Sequence, residues 1–185
     1  IIISGFGGQG VLFAGMLLSY TAMDENLQVT WYPSYGPEMR GGTANCTVII
    51  ADEEIGAPVV LNPTAVIAMN LPSMMKYEPL VKPGGVLIVN RSMVNRECQR
   101  NDIQALMVPA IEIAESIGSS RIANIVMLGS LLKLLPVLTI EAVERSLIAN
   151  TPERHKSFLP LNIRGLRAGE DYVKEHLAKN ASRSI

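Results

Sequence analysis

An apolar run that leads into a glycine cluster opens the sequence and constrains the fold more than any other stretch. Residues 1–4 (Ile-Ile-Ile-Ser) precede residues 5–10 (Gly-Phe-Gly-Gly-Gln-Gly), and a long apolar segment, residues 11–23, follows at once. A β-branched run of this kind is typical of a strand buried on both faces of a parallel sheet. The order strand, tight loop, helix predicts a nucleotide-binding βαβ unit. The chain begins inside this strand, and a short segment is expected before it.

The glycines predict an anion site at the turn between strand and helix. Gly5, Gly7 and Gly10 have the G-x-G-x-x-G spacing, and Gly8 and Gln9 complete the candidate binding segment. Glycine permits positive φ and lets the backbone approach a ligand closely. The first N–H groups of the following helix favour a phosphate or a carboxylate. The alternative is a glycine turn that only packs the helix on the sheet.

Alternating strand-like and helix-like segments predict an α/β, Rossmann-like fold with a mainly parallel sheet flanked by helices and a helical C-terminal part. Strands are expected at residues 1–4, 28–32, 43–51, 66–70, 86–90 and 105–109. Helices are expected at residues 11–23, 72–81, 111–117, 122–135 and 170–179, and a further helix at Thr139. The length of 185 residues and the lack of a clear linker predict a single domain over residues 1–185.

The segment that follows the second predicted strand is the second candidate binding element. Residues 33–42 hold two prolines and three glycines, which excludes regular structure and favours a shaped loop. In a doubly wound sheet, loops at the carboxyl ends of strands border the ligand crevice. Arg40 is expected to clamp a phosphate or carboxylate, and Glu38 to orient it. The other candidate binding residues of this loop are Ser34, Gly36, Gly41 and Gly42. The alternative is a surface ion pair in a rigid turn.

Two common nucleotide-binding motifs are incomplete in this sequence. An NAD site needs an acidic residue at the end of the second strand, where Trp31, Tyr32 and Pro33 stand instead. No Gly-Lys-Ser/Thr follows the glycines, so the Walker A motif fails as well. A stand-alone nicotinamide dehydrogenase is therefore disfavoured, and an NAD titration tests it.

Composition narrows the possible partners. A net charge of −1 and few aromatic residues argue against binding to nucleic acid or to an anionic membrane. The longest apolar stretch, residues 122–138, is too short and too polar for a membrane span. Cys46 and Cys98 lie in no C-x-x-C, and His155 and His176 lack metal-ligand spacing, which predicts no metal site and a reduced, cytoplasmic setting. The apolar content of 48% predicts surface covered by partner subunits.

Two N-terminal segments carry a specific resemblance to a known family. Residues 5–15 (GFGGQGVLFAG) and residues 30–46 (TWYPSYGPEMRGGTANC) are similar to two signatures of the gamma subunit of 2-oxoacid:ferredoxin oxidoreductases. Later stretches that also fit are residues 69–70, residues 82–85, Asn124 with residues 127–129, and Asn162 with Gly169. The resemblance covers nearly the whole chain, and within the family it is strongest to the 2-oxoglutarate type.

The resemblance implies a gamma-type domain over residues 1–185 that works inside a multi-subunit enzyme. In this family, thiamine diphosphate lies between alpha and beta subunits, iron–sulfur clusters pass electrons to ferredoxin or flavodoxin, and coenzyme A takes the acyl group. The implied partners are therefore the alpha and beta subunits and a ferredoxin-like delta subunit. The sequence has no thiamine-binding Gly-Asp-Gly…Asn run and no cluster cysteines. No catalytic residue, metal or firmly held cofactor is therefore assigned to this chain.

The role left for the glycine segment and Arg40 is to help bind coenzyme A or to shape its entrance. Asn124, in an apolar predicted helix, is expected to face the crevice or an adjoining subunit. Lys156, Asn162 and Arg164 are expected in a loop that touches a partner or faces solvent.

The expected substrate is 2-oxoglutarate, with a pyruvate- or indolepyruvate-type enzyme as the alternative. The competing class is an assembly module without a ligand, and coenzyme A binding by the complex and its loop variants separates the two.

Overall fold

A six-stranded sheet with helices on both faces forms the centre of the described part of the molecule. The computed structural model describes residues 1–36 and 42–183. The strands are β1 (Ile2–Phe6), β2 (Gln28–Tyr35), β3 (Thr43–Ala51), β4 (Ala65–Ala68), β5 (Val86–Asn90) and β6 (Gln104–Val108). The α-helices are α1 (Val11–Asp24), α2 (Leu71–Tyr77), α3 (Ala110–Ile117), α4 (Ala123–Leu134), α5 (Ile140–Asn150) and α6 (Leu159–Arg183). Short 3₁₀ turns lie at residues 78–80, 91–93, 120–122 and 153–158.

The sheet is parallel except for one strand. Its order is β2-β3-β1-β4-β5-β6, and β1, β4, β5 and β6 pair in parallel. β3 is antiparallel to both of its neighbours, β1 and β2. The connection from β2 to β3 spans only residues 36–42, and parallel neighbours need a crossover of about a dozen residues or more. The predicted mainly parallel α/β sheet is confirmed, with a reversed strand inside it.

β2 is longer than the sequence predicted. It runs to Tyr35, and its last residues, Pro33–Tyr35, pair with residues 44–46 of β3. The prediction that regular structure stops before Pro33 was therefore wrong. Because β2 is an outer strand in the order of the described sheet, a proline without an N–H group is tolerated in it.

The two faces of the sheet bury two separate apolar clusters. Ile3, Ile67 and Ile88 of the parallel strands belong to one cluster together with residues of α1 and α4. Val66 and Leu87 belong to the other cluster together with residues of α2. Successive residues of a strand point to opposite faces, which explains why β4 and β5 are apolar at nearly every position.

The C-terminal helix begins earlier than the sequence predicted. α6 starts at Leu159, so Asn162 and Arg164, which were expected in a loop, lie on a helix, whereas Lys156 lies in a 3₁₀ turn. Pro160 indicated a break, but proline is tolerated in the first turn of a helix, where its missing N–H has no partner to lose. Among the described helices, none has both the length and the apolar character that a membrane span requires.

Glycines let α4 and α6 cross at very close range. A Cβ atom at Gly129 would overlap the carbonyl oxygen of Leu166, and one at Gly169 would overlap the carbonyl oxygen of Val126. Ser130 Oγ lies 3.1 Å from the carbonyl oxygen of Gly169, at hydrogen-bond distance. The backbones of the two helices therefore touch, and a side chain at either glycine would force them apart.

Candidate functional site

The glycine loop (residues 5–10) and the β2–β3 connection meet at one edge of the sheet. The N–H of Gly7 donates to the carbonyl oxygen of Gly42 at 2.9 Å, and the N–H of Gly36 donates to the carbonyl oxygen of Thr43 at 3.2 Å. β1 and β2 run in the same direction because each is antiparallel to β3. Their carboxyl ends therefore lie at the same edge. Two segments that are far apart in sequence are thus brought together.

An open cleft of about 890 Å³, called the glycine cleft below, lies between these two segments. The predicted binding residues that line it are Gly7, Gly8, Gly10, Gly36 and Gly42. Its apolar lining includes Phe6, Phe13, Trp31 and Pro33. Sites for small molecules and cofactors typically measure roughly 300–1,000 Å³. The cleft is therefore large enough for an extended ligand.

α1 begins inside the glycine cleft without a side-chain cap. Gly10 is its N-cap residue, with φ of 72° and ψ of 19°. Within the described residues, no side chain caps the helix by accepting a hydrogen bond from its first N–H groups. The first N–H groups of an α-helix have no partner within the helix and carry the positive end of its dipole. Val11, Leu12 and Phe13, which form this first turn, all line the cleft. This end of the helix can therefore hold an anionic group.

Asn124 of α4 supports the glycine loop. Its Nδ2 atom donates to the carbonyl oxygen of Gly10 at 2.9 Å, and the residue is only 4% exposed. A Cβ atom at Gly10 would overlap the Asn124 amide, and Gly10 also has the positive φ that favours glycine. Asn124 therefore lies against the glycine loop, on the crevice side of α4.

Gln9 and Gly5 lie behind the loop. Gln9 Oε1 accepts hydrogen bonds from the N–H of Phe6 at 2.7 Å and from Asn70 Nδ2 at 3.2 Å. A Cβ atom at Gly5 would lie 2.6 Å from the same Oε1 atom. The two residues shape the turn and are absent from the described lining of the glycine cleft.

The other predicted binding residues belong to the second segment. Ser34 lies in β2, paired with Asn45 of β3, and does not appear in the described lining of the cleft. Glu38, Arg40 and Gly41 lie outside the described residues.

Cys46, on β3, is buried in the core beneath α1. Burial raises the pKa of its thiol to about 11, so the thiol is protonated at neutral pH. A buried thiol of this kind packs like a small apolar residue. Within the described ranges, no cluster of three or more His, Cys, Asp or Glu side chains is arranged to hold a metal ion.

A second cavity, of about 310 Å³, shares the lining residues Gly10 and Phe13 with the glycine cleft and is named the α4–α6 cavity. Its remaining lining residues are Arg121, Ile122, Asn124, Thr151, Pro152, His155, Phe158 and Asn162. It lies at the N-terminal end of α4, beside α6 and the 3₁₀ turn at residues 153–158. Asn124 and Asn162 were noted from the sequence, whereas Arg121 and His155 were not candidates, because the proximity of these side chains depends on where α6 starts.

Comparison with known proteins gives consistent matches along nearly the whole chain. The sequence profile of the pyruvate ferredoxin/flavodoxin oxidoreductase family matches residues 1–172. The ketoisovalerate oxidoreductase subunit VorA of Methanothermobacter thermautotrophicus is 37% identical over 175 residues, which cover 95% of this chain and 36% of VorA. The 2-oxoglutarate synthase subunit KorC of Methanothermobacter marburgensis is 36% identical over 182 residues, which cover 95% of this chain and 96% of KorC. The chain thus spans about a third of VorA and nearly all of KorC.

A solved structure shares the fold. The gamma subunit of keto/oxoacid ferredoxin oxidoreductase from Geobacter sulfurreducens superposes with a TM-score of 0.79 at 31% identity. The superposition covers 94% of this chain and 97% of that subunit. The sheet and the helices described above are therefore shared over nearly the whole of both chains.

Proposed function

Because the chain belongs to the pyruvate ferredoxin/flavodoxin oxidoreductase family, we propose that it is the gamma-type part of a 2-oxoacid:ferredoxin oxidoreductase. The family match over residues 1–172 confirms the resemblance inferred from residues 5–15 and 30–46. KorC and the Geobacter gamma subunit support the gamma-type reading because they match along nearly their whole length. The proposed partners are alpha and beta subunits with thiamine diphosphate and iron–sulfur clusters, and a ferredoxin-like delta subunit. Ferredoxin or flavodoxin is the proposed acceptor, and the cytoplasm the proposed setting.

The proposed task of this chain's own residues is to help bind coenzyme A in the glycine cleft. The observation that carries this proposal is that the uncapped N-terminus of α1 forms part of the cleft wall. Coenzyme A joins phosphate groups to a long, weakly polar arm. Helix N–H groups suit its phosphates, and apolar walls such as Phe13 and Trp31 suit the arm. The described lining has no titratable side chain, which fits a binding role rather than acid–base chemistry.

The proposed substrate of the whole enzyme is 2-oxoglutarate. The support is KorC, a relative of matching length that is named for 2-oxoglutarate synthase. VorA has a similar identity and is named for ketoisovalerate, which supports a branched 2-oxoacid as a second candidate. A pyruvate- or indolepyruvate-type enzyme remains the alternative within the family.

Purification of the tagged chain from its native source tests the enzyme assignment. We expect larger subunits to co-purify and to reduce a viologen dye with 2-oxoglutarate only when coenzyme A is present. Reduction with pyruvate, an aryl pyruvate or 2-oxoisovalerate alone would keep the family and change the substrate. A chain that purifies alone and without activity would contradict the proposal.

Filling the cleft tests the role in coenzyme A binding. The structure leaves open space where a side chain at Gly36 would extend, and the φ of this residue is not positive. We expect Gly36→Leu to raise the KM for coenzyme A about tenfold or more, because the new side chain occupies the cleft. Gly56→Leu is the matched control, since Gly56 also has open space and ordinary φ but lies outside the lining. An intact Gly36→Leu complex with unchanged KM would favour an assembly module without a ligand.

A further inference from the structure

The connection between β3 and β4, named the β3–β4 loop (residues 52–64), carries strongly exposed apolar side chains. Val59 is 68% exposed and Leu61 is 78% exposed, the highest values among the large apolar residues that the structure describes. Residues 56–58, a glycine, an alanine and a proline, are exposed as well. A single exposed leucine needs no explanation, but exposed apolar groups that adjoin one another indicate contact with another molecule.

The end of the β3–β4 loop is held against the 3₁₀ turn that follows α2. The N–H of Lys82 donates to the carbonyl oxygen of Pro63 at 3.0 Å, and Asn62 Nδ2 donates to the carbonyl oxygen of Leu80 at 3.2 Å. Leu80 is itself 38% exposed, so it extends the apolar surface beside Leu61. The exposed apolar residues of the two segments therefore form one surface.

The backbone of the loop is also available to a partner. Residues 53–62 belong to no helix or strand, and they make no backbone-to-backbone hydrogen bond with the residues that the structure describes. A connection of this length without secondary structure is uncommon in a compact domain and is often functional. Its N–H and C=O groups can therefore hydrogen-bond to another chain.

The charge beside the apolar surface is negative. Asp52, Glu53 and Glu54 begin the loop, are all exposed, and form no ion pair within residues 1–36 and 42–183. Lys82, at the other end of the loop, is a single exposed cation against these three carboxylates. An apolar centre with an acidic rim complements an apolar pocket that is bordered by lysine or arginine side chains.

The loop lies at the edge of the sheet opposite the glycine cleft. β1 stands between β3 and β4, so the loop crosses the amino-terminal end of β1, whereas the glycine loop follows its carboxyl end. β1 has five residues, which places the two edges roughly 17 Å apart. A partner seated on the β3–β4 loop therefore does not cover the cleft.

We propose that the β3–β4 loop, together with Leu80, is the surface by which this chain docks on a larger subunit of its enzyme. Val59 and Leu61 enter an apolar pocket of that subunit, and the carboxylates of residues 52–54 meet a basic rim around the pocket. This inference rests on the proposed function and deepens it, because it names a contact surface of the complex. A second copy of the chain fits less well, since a two-fold contact would bring the acidic rim against itself.

Analytical ultracentrifugation of the purified complex across a dilution series tests the apolar part of the surface. We expect the complex with Leu61→Ser to release this chain at concentrations about tenfold higher than the wild-type complex does, because an apolar anchor is lost. Ile148→Ser is the matched control, since Ile148 is 57% exposed on α5 and lies outside the loop. Urea unfolding of the chain should be the same for Leu61→Ser and the wild type, which separates docking from folding.

Glu53→Lys tests the basic rim of the partner. Charge reversal should raise the dissociation constant of the complex severalfold or more at low salt. Added salt should weaken the wild-type complex and have less effect on the Glu53→Lys complex, because salt screens an attraction that the variant lacks. Glu115→Lys reverses an exposed carboxylate on α3 and is the matched control.

The outcomes distinguish the docking surface from the proposed function. Unchanged dissociation of the Leu61→Ser and Glu53→Lys complexes, with viologen reduction retained, would overturn the surface and keep the function. A wild-type chain that purifies alone would contradict both. Dimers of the isolated wild-type chain that Leu61→Ser abolishes would show that the occupant is a second copy, and the proposal of a larger subunit would then be wrong.

Discussion

Asn124 Nδ2 donates to the carbonyl oxygen of Gly10 at 2.9 Å, across a sequence separation of 114 residues. This hydrogen bond connects the buried helix α4 to the loop that begins α1. It also lies between the glycine cleft and the α4–α6 cavity, since Gly10 lines both and Asn124 lines the second. The conformation of the glycine loop therefore depends on a residue from the opposite half of the chain.

Asn124→Leu is expected to lower both stability and ligand affinity. Leucine has a similar size but cannot donate to the Gly10 carbonyl oxygen, so the free energy of unfolding should fall by roughly 1–3 kcal/mol. The KM for coenzyme A should rise, because the loop loses its support. Urea unfolding of the chain and kinetics of the complex measure the two effects. Asn95→Leu, at an exposed position, should change neither, and equal behaviour of the two variants would rule out the supporting role.

Gly129→Ala and Gly169→Ala are expected to destabilise the crossing of α4 and α6. The new methyl groups would overlap the carbonyl oxygens of Leu166 and Val126, and overpacking of this kind costs roughly 1–3 kcal/mol or more. Denaturant unfolding with linear extrapolation measures the loss.

Gly165→Ala is the matched control on α6. A Cβ atom there would lie 3.0 Å from Ile122 Cδ1, the end of a flexible side chain. Since alanine has a higher helix propensity than glycine by roughly 1 kcal/mol, this variant should be neutral or slightly more stable. A loss at Gly165 as large as at Gly129 would show that α6 rejects any added methyl group.

Glu78→Ala is expected to detach the irregular segment that follows the second 3₁₀ turn. Glu78 is 3% exposed, accepts a hydrogen bond from the N–H of Gln99 at 2.6 Å, and pairs with Arg96. Loss of these charge-assisted bonds should lower the free energy of unfolding by roughly 2–3 kcal/mol. Hydrogen exchange of the Gln99 amide should also accelerate. Glu97→Ala removes an exposed carboxylate nearby, and slow Gln99 exchange in both variants would contradict the anchoring role.

Cys46 makes the stability of the fold depend on pH in the alkaline range. Burial raises the pKa of its thiol from about 9 to about 11 in the folded chain. As the pH rises, the unfolded chain therefore loses this proton before the folded chain does. The contribution of the protonated thiol to the free energy of unfolding is complete below pH 9 and is lost as the pH rises toward 11. The loss should reach roughly 2–3 kcal/mol.

Unfolding free energies measured from pH 8 to pH 11 check this expectation. Cys46→Ala should remove this part of the alkaline loss, and Cys98→Ala should retain it. At pH 8, a thiol reagent should modify the partly exposed Cys98 and spare Cys46 in the folded chain. Rapid modification of Cys46 without unfolding would show that the thiol is accessible.

The sequence correctly predicted the strands that are buried along their whole length. β4 and β5 are buried on both faces, so their apolar runs identify them, and β1 is marked by the isoleucines before the glycines. Thr139 likewise identified the start of α5, where its side chain accepts a hydrogen bond from the N–H of Ala142 at 3.1 Å. In each of these places the local signal and the tertiary environment agree.

Features that depend on distant contacts were missed. Pro33 ends a strand by local preference, but its place on an outer strand, paired with Cys46, keeps it in β2. Pro160 suggested a loop, and the first turn of α6 accommodates it instead. The α4–α6 cavity could not be predicted because Arg121 and His155 are joined only by the packing of α6 against α4. The prediction that both candidate loops border one crevice relied on strand direction, which the sequence pattern does carry.

The reversed strand β3 also changes how the missing NAD motif is to be understood. It stands between β1 and β2, so the end of β2 is displaced from the end of β1 by two strand spacings, roughly 10 Å. In a dinucleotide fold these two strands are neighbours, and the acid at the end of the second one reaches the ribose. Here, an acid substituted at Tyr32 would lie opposite β3, on the face of β2 away from Trp31 and Pro33, and beyond reach of a ribose held at the glycine loop. The insertion of β3 between β1 and β2 thus prevents an acid at the end of β2 from giving this glycine loop specificity for a nicotinamide dinucleotide.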